Sequence, residues 1–275
     1  MAMLKKMFDF YISGSIHVSL AVVALAFITA LSLGISLNTN FIIFLFCSSV
    51  SGYNFVKYAS VAGLHHRSLT SSLKSIQVFS FSCGIVMLVT AYQLRAETLV
   101  CCVSLGLLTL FYAVPLFLLK RNLRSVGGIK VFVIALVWTG TTVALPVVES
   151  GLNVYWDPSI IGVQRFLFVI ALMIPFEIRD LEYDQTALHT LPQIIGIKKA
   201  RFFGISLLVL FFLLEYGKDD FNISSLIVLL LVAIVLGVLI TLSRKRQSKY
   251  YASFIVEAVP MLWLLLLVAV QILVA

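Results

Sequence analysis

The sequence predicts an all-α protein, a polytopic bundle of nine transmembrane helices, and three observations carry that expectation. Hydrophobic residues make up 61% of the 275 positions and charged ones only 12%, whereas a water-soluble domain carries roughly 25% charged residues. The mean hydropathy is +1.08, so there is too little polar surface to cover a particle in water. Apolar segments close to the roughly 20 residues that a helix needs to cross a bilayer recur along the whole chain. They lack the two-residue alternation of an outer-membrane barrel, and a helix is then the way such a segment satisfies its backbone in lipid.

Polar breaks place the spans at about Ile16 to Leu37, Phe41 to Ala62, Ile76 to Leu94, Leu99 to Leu119 and Ile129 to Val148, followed by Ile160 to Glu177, Phe202 to Tyr216, Ile223 to Leu242 and Ser253 to Val274. The seventh carries the weakest signal. Lys5 and Lys6 precede an apolar stretch that is too long for a signal peptide and has no small-residue cleavage pattern, so it is read as the first span. Pro146, Pro175 and Pro260 are expected to kink or end helices. No linker or soluble segment interrupts the series, so residues 1–275 are expected to form one integral-membrane domain.

The 20 Lys and Arg residues test the span count independently. With nine spans, one side holds Lys5 and Lys6, the basic residues from Lys57 to Lys74, from Lys120 to Lys130 and from Arg179 to Arg201, and the Arg244 to Lys249 group. The other side keeps only Arg95, Arg165 and Lys218. By the positive-inside rule the first side is cytoplasmic, with the amino terminus inside and the carboxyl terminus outside. The +8 net charge therefore reads as membrane topology and not as a nucleic-acid footprint, and the expected location is the cell (inner) membrane. Cys47, Cys83, Cys101 and Cys102 fall in apolar runs without metal-ligand spacing and read as buried small hydrophobes.

One polar cluster departs from the topological pattern. The sixth span ends in Glu177-Ile178-Arg179-Asp180-Leu181-Glu182-Tyr183-Asp184, and on a continued helix Glu177, Asp180 and Asp184 share one face. Like charges so placed repel unless a cation lies between them, and oxygen-only ligands suit Mg²⁺. The spacing alone fits equally a solvated helix end neutralised by Arg179 and Lys198. Two basic connections are assigned to the same side: Lys120 to Lys130, with Gly127 and Gly128 opening the fifth span, and His189 to Arg201. Cations and a helix amino terminus hold phosphate, and paired carboxylates hold a metal that bridges to it.

At these residues the chain resembles the UbiA superfamily of intramembrane prenyltransferases. The resemblance rests on the nine-helix count, on the Tyr-x-x-Pro and basic segment from Tyr112 to Lys130, and most specifically on D-x-x-x-D, T-L-P and G-x-x-K-A in order. These are Asp180 and Asp184, then Thr190 to Pro192, then Gly196, Lys199 and Ala200. It implies a helical bundle around a central cavity in which Mg²⁺ on Asp180 and Asp184 holds a polyprenyl diphosphate. Lys120, Arg124, Lys130, Arg179 and Lys199 would contact that substrate, Asn54 and Tyr112 would shape the cavity, and an apolar, ring-bearing acceptor would capture the allylic group. Membrane lipid is the other expected partner.

The resemblance breaks at the end of the second span. Asn54 matches the first residue of the family's N-D-x-x-D-x-x-x-D motif, but Phe55, Tyr58 and Ala62 stand where aspartates would be. Lys57 sits in that stretch and is read as a partial substitute, a fixed ammonium facing diphosphate, or else as a snorkelling interface residue. Tyr53, Tyr58 and Tyr112 are candidates for shielding an allylic cation with their ring faces. The expected activity is transfer of a polyprenyl group with Mg²⁺. The rival is a catalytically silent bundle that binds a lipid or membrane partner. A transporter is a weaker fit, since lone acids such as Glu215 and Glu257 are few. His65-His66-Arg67 reads as surface, because adjacent residues on a helix point apart.

Overall fold

The computed structural model describes residues 2–62, 71–114, 128–153, 155–182 and 190–274, and among these every regular element is helical. The helices are α1 (Ala2–Ser13), α2 (Ile16–Leu33), α3 (Thr39–Ala62), α4 (Ser71–Ala91), α5 (Ala96–Ala113), α6 (Ile129–Thr139), α7 (Leu145–Ser150), α8 (Trp156–Asp180), α9 (Leu191–Ile195), α10 (Ile197–Leu213), α11 (Ile223–Leu242) and α12 (Val259–Val274). A π turn, Gly140–Ala144, joins α6 to α7 into one rod, and a π-helical stretch, Tyr251–Val256, precedes α12. Eight of the resulting segments are long and apolar enough to cross a membrane. The predicted seventh span corresponds to α10, 17 residues running into the 3₁₀ turn Leu214–Gly217. The protein is a multi-pass integral membrane protein.

Burial sorts the helices by place. In α2 and α8, 61% and 67% of the spanning window is buried, against 17% in α4 and 11% in α5. The first two form the interior, and the latter pair turns Phe81, Leu88, Val89, Val100 and Val103 outward. An apolar face that broad is stable against lipid, not water. The interior is closed by aromatic packing. Phe168 of α8, Phe211 of α10 and Trp263 of α12 lie 5.1 to 5.5 Å apart between ring centroids, within the range where edge-to-face pairs attract.

Pro146, Pro175 and Pro260 end no helix. Pro175 lies inside α8. Pro146 falls in the first turn of α7, directly after the π turn. It has no N–H for the carbonyl of Thr142, four residues earlier, and that carbonyl instead accepts the Thr29 hydroxyl of α2 at 2.8 Å. The missing backbone bond is thereby converted into an interhelical one. Pro260 follows the Tyr251–Val256 π stretch in the same way, and π turns of this kind re-aim the side chains beside them.

Candidate active site

The polar cluster forms where α8 ends against the start of α6. Gly128 (φ +75°) and Gly196 (φ +82°) adopt backbone conformations that side chains resist, and each immediately precedes a helix, α6 and α10. Gly128 thereby puts Lys130 in the first turn of α6. Its Nζ lies 2.8 Å from Glu177 Oε1 and 3.4 Å from Asp180 Oδ2. Arg179 closes the group, its guanidinium bonded to Asp180 Oδ1 at 2.8 and 2.9 Å and stacked over Phe176 at 5.2 Å. The Glu177 side chain is 1% exposed and that of Lys130 14%. Acids in the last turn of a helix face the negative end of its dipole, so the two cations offset both that repulsion and the mutual repulsion of the acids.

The G-x-x-K-A and T-L-P segments stand next to this cluster in the chain. The Thr190 backbone N–H donates to Gln193 Oε1 at 2.9 Å in a capping box that starts α9, with Pro192 in its first turn. Lys199 lies exposed in the first turn of α10 and Ala200 is buried. Tyr112 is buried at the end of α5, within electrostatic reach of Lys130 and of Tyr53. Asp184, Lys120, Arg124, Pro115 and the His65 to Arg67 run lie outside the described residues.

The remaining motif has a different use. Asn54 is buried and fully engaged: its Oδ1 accepts the Ser15 hydroxyl at 2.7 Å, and its Nδ2 donates to Gly14 O at 3.1 Å and Ser80 Oγ at 2.7 Å. This locks Ser15, a non-glycine residue in the left-handed region (φ 62°), and with it the turn from α1 to α2. Lys57 Nζ and the Tyr58 hydroxyl both donate to Ser13 O, at 3.1 and 3.2 Å, satisfying the carboxyl end of α1. Phe55 is exposed. The stretch from Asn54 to Tyr58 therefore serves to dock α1.

The docked α1 is also tied at its other side. Asp9 Oδ1 accepts Lys249 Nζ and the Tyr250 hydroxyl, each at 2.8 Å, and these donors hold the Asp9 carboxyl below its ordinary value while raising Lys249. Burial, with Glu257 adding to it, raises the phenol of Tyr11. Glu257 is the residue that sequence reasoning underrated. It directly follows the Tyr251–Val256 π stretch, keeps part of its surface accessible, and lies within electrostatic reach of Tyr11, Tyr53, Lys57 and Arg179. Among the described residues no hydrogen bond or ion pair closes on its carboxylate. The available signal was an acid three residues before Pro260 inside an apolar run. Tyr53 itself accepts a hydrogen bond from Trp138 Nε1, the two rings meeting edge to face.

The arrangement matches known structures over nearly its whole length. A digeranylgeranylglyceryl phosphate synthase is 19% identical, with 96% of this chain and 98% of that one covered and a TM-score of 0.59. A UbiA homologue from Archaeoglobus fulgidus bound to GPP and Mg²⁺ is 13% identical over 95% and 99%, with a TM-score of 0.66. The chain has the UbiA fold. A UbiA homologue from Aeropyrum pernix K1 agrees at 14% identity over 94% and 98%, again with a TM-score of 0.66. No family model and no curated protein sequence matches the chain, so the likeness is one of UbiA architecture.

Within that architecture the sequence-predicted residues divide. Lys130, Arg179 and Asp180 come together, and Glu177, first noted as a member of the acidic face, completes them. Asn54 and Lys57 bond instead to the α1–α2 turn. Among the described residues no three His, Cys, Asp or Glu side chains gather as a metal site. Glu177 and Asp180 do already hold one cation, the Lys130 ammonium, between carboxylate oxygens, which is the donor chemistry that Mg²⁺ requires. The oxygen donors of Glu177 and Asp180 fit a single metal ion on this wall, and Phe55 and Tyr58 supply no carboxylate.

Proposed function

We propose that this protein is a UbiA-like membrane prenyltransferase that takes a polyprenyl group from its diphosphate and transfers it to an apolar, ring-bearing acceptor. The reading rests above all on the convergence of Lys130, Arg179, Glu177 and Asp180 at the end of α8, inside a fold shared with proteins solved with GPP and Mg²⁺. In this account Asp180 and Asp184 would hold Mg²⁺, which when bound neutralises leaving-group charge. Lys130, Arg179 and Lys199, with Lys120 and Arg124, grip the diphosphate oxygens. Lys57 adds positive charge at the edge of the same region while keeping its bond to Ser13. Asn54 acts as a positioning residue, through the turn it locks.

The chemistry is a substitution at the allylic carbon. The carbon–oxygen bond breaks, diphosphate leaves with the electron pair, an acceptor carbon forms the new bond, and the acceptor releases one proton. Glu257, whose carboxylate has no hydrogen-bond or ion-pair partner among the described residues, would take that proton. In this reading Tyr53, Tyr112 and Trp138 would supply the aromatic surface that stabilises an allylic cation. The amino terminus is assigned to the cytoplasm and the carboxyl terminus to the outside, in the cell membrane. One observation favours the rival reading, a silent UbiA-fold lipid binder: the first acidic motif is rebuilt to dock α1. Incubation of purified protein with labelled prenyl diphosphates, Mg²⁺ and a panel of aromatic acceptors separates the two. Prenylated product or released diphosphate that Asp180→Asn abolishes is expected, and neither with any acceptor would discard the enzyme.

A further inference from the structure

The opposite half of α8 carries a second polar cluster that a transferase site at its carboxyl end does not use. Arg165 is 1% exposed and lies about 18 Å along the helix from Glu177, at about 1.5 Å per residue. Its Nη2 donates to Thr29 Oγ1 at 3.2 Å, and its guanidinium carbon stands 5.0 Å from the centre of the Trp263 ring. Nε and Nη1 of Arg165 and Nε1 of Trp263 are buried without a hydrogen-bond partner among the described residues. Both residues line a small pocket between α2, α8, α11 and α12 that is open at its mouth.

Charge on the lining is unbalanced. Its other ionic groups are Glu215 and Lys218, paired with each other at 2.6 Å, and Gln164 donates to the same Glu215 oxygen at 2.9 Å. The pair cancels, leaving one guanidinium charge with no counter-ion among the described residues, in surroundings where an isolated charge is expensive. Two of its nitrogens and a neighbouring indole N–H remain as donors, and a guanidinium fork is built to meet two oxygens of one group.

We propose that this pocket is an oxyanion-binding site, in which Arg165 and Trp263 hold a phosphate or carboxylate group separate from any prenyl diphosphate at the far end of α8. Free oxyanions and the phosphodiester of an acidic lipid share that chemistry. The test uses the full chain in neutral detergent, with thermal unfolding and native mass spectrometry as readouts, and inorganic phosphate, phosphatidylglycerol or uncharged diacylglycerol as probes. Wild type should be stabilised by phosphate, by phosphatidylglycerol or by both, and not by diacylglycerol. Response to phosphate marks a free-anion site and response to phosphatidylglycerol alone a headgroup site.

Arg165→Gln should abolish the response while unfolding, without added anion, no earlier than wild type, because it deletes an uncompensated charge. Trp263→Phe, which keeps the ring and loses the N–H, should weaken binding about three- to tenfold and carries the test by itself if Arg165→Gln does not fold. Indifference of wild type to both anionic probes, a response that Arg165→Gln keeps in full, or unchanged affinity in Trp263→Phe would overturn the proposal.

Discussion

Glu177→Gln is the substitution whose cost follows most directly from the geometry. At 2.8 Å the attraction between Lys130 and Glu177 is about 6 kcal/mol at an effective dielectric constant near 20, before the cost of desolvating both groups. Losing one partner of a buried pair typically costs about 3 to 5 kcal/mol, because the survivor stays buried. Here Asp180 at 3.4 Å still faces Lys130, so the expected loss is at the lower end, about 2 to 4 kcal/mol. Lys130→Met in the same protein removes the stranded charge, and the double variant should recover at least about 1 kcal/mol relative to the sum of the two single losses. Reversible unfolding in mixed micelles, followed by circular dichroism, measures all four corners of the cycle. A single-variant loss under about 1 kcal/mol, or strict additivity, would refute the view that this pair is a coupled, desolvated unit.

Further outcomes follow from other contacts. Thr29→Val leaves the Thr142 carbonyl without its donor and should cost about 1 to 3 kcal/mol; adding Pro146→Ala returns a backbone N–H to that region and should restore part of the loss in the same unfolding assay. Asn54→Ala removes three hydrogen bonds around the α1–α2 turn and should cost about 2 to 4 kcal/mol, with hydrogen exchange accelerated first in α1. The Asp9 latch gives a pH dependence. A carboxyl lowered from 3.8 stabilises above that value and loses its effect as pH falls through the lower folded value, while a lysine raised from 10.5 stabilises below it and is lost as pH rises through the higher one. Exchange protection of α1, corrected for intrinsic rates, should therefore be flat from about pH 7 to about pH 9, and a midpoint inside that window would contradict the assignment.

The helices were legible because a bilayer imposes length and hydropathy at once. The apolar segment Ile223 to Leu242 coincides with α11, and α6 and α7 together extend Ile129 to Val148 only to Ser150. The seventh span blurred because α10 starts at Ile197, so Lys198, Lys199 and Arg201, charges that signal a loop, lie at the start of a helix. Periodicity could not foresee that Pro146 and Pro260 would be absorbed by π turns, since the compensating donor for Thr142 comes from Thr29, over a hundred residues away in sequence. At the site, spacing put Glu177 and Asp180 on one face, and the pairing with Lys130 across helices needed the fold. Asn54 looked like the remnant of a substrate motif because its partners, Gly14, Ser15 and Ser80, come from segments that motif spacing does not connect. Arg165 counted only as one of three charges on the minority side until its burial and its unpartnered nitrogens were visible.

The prenyltransferase reading depends on the end of α8 acting as a diphosphate site. Equilibrium binding of a fluorescent or radiolabelled prenyl diphosphate to the purified protein, with and without Mg²⁺, addresses that directly. Saturable binding is expected, strengthened by Mg²⁺ and weakened about tenfold or more, about 1.4 kcal/mol, by Lys130→Met and by Asp180→Asn. Wild-type protein that binds no prenyl diphosphate, or binds it equally well after both substitutions, would contradict the account.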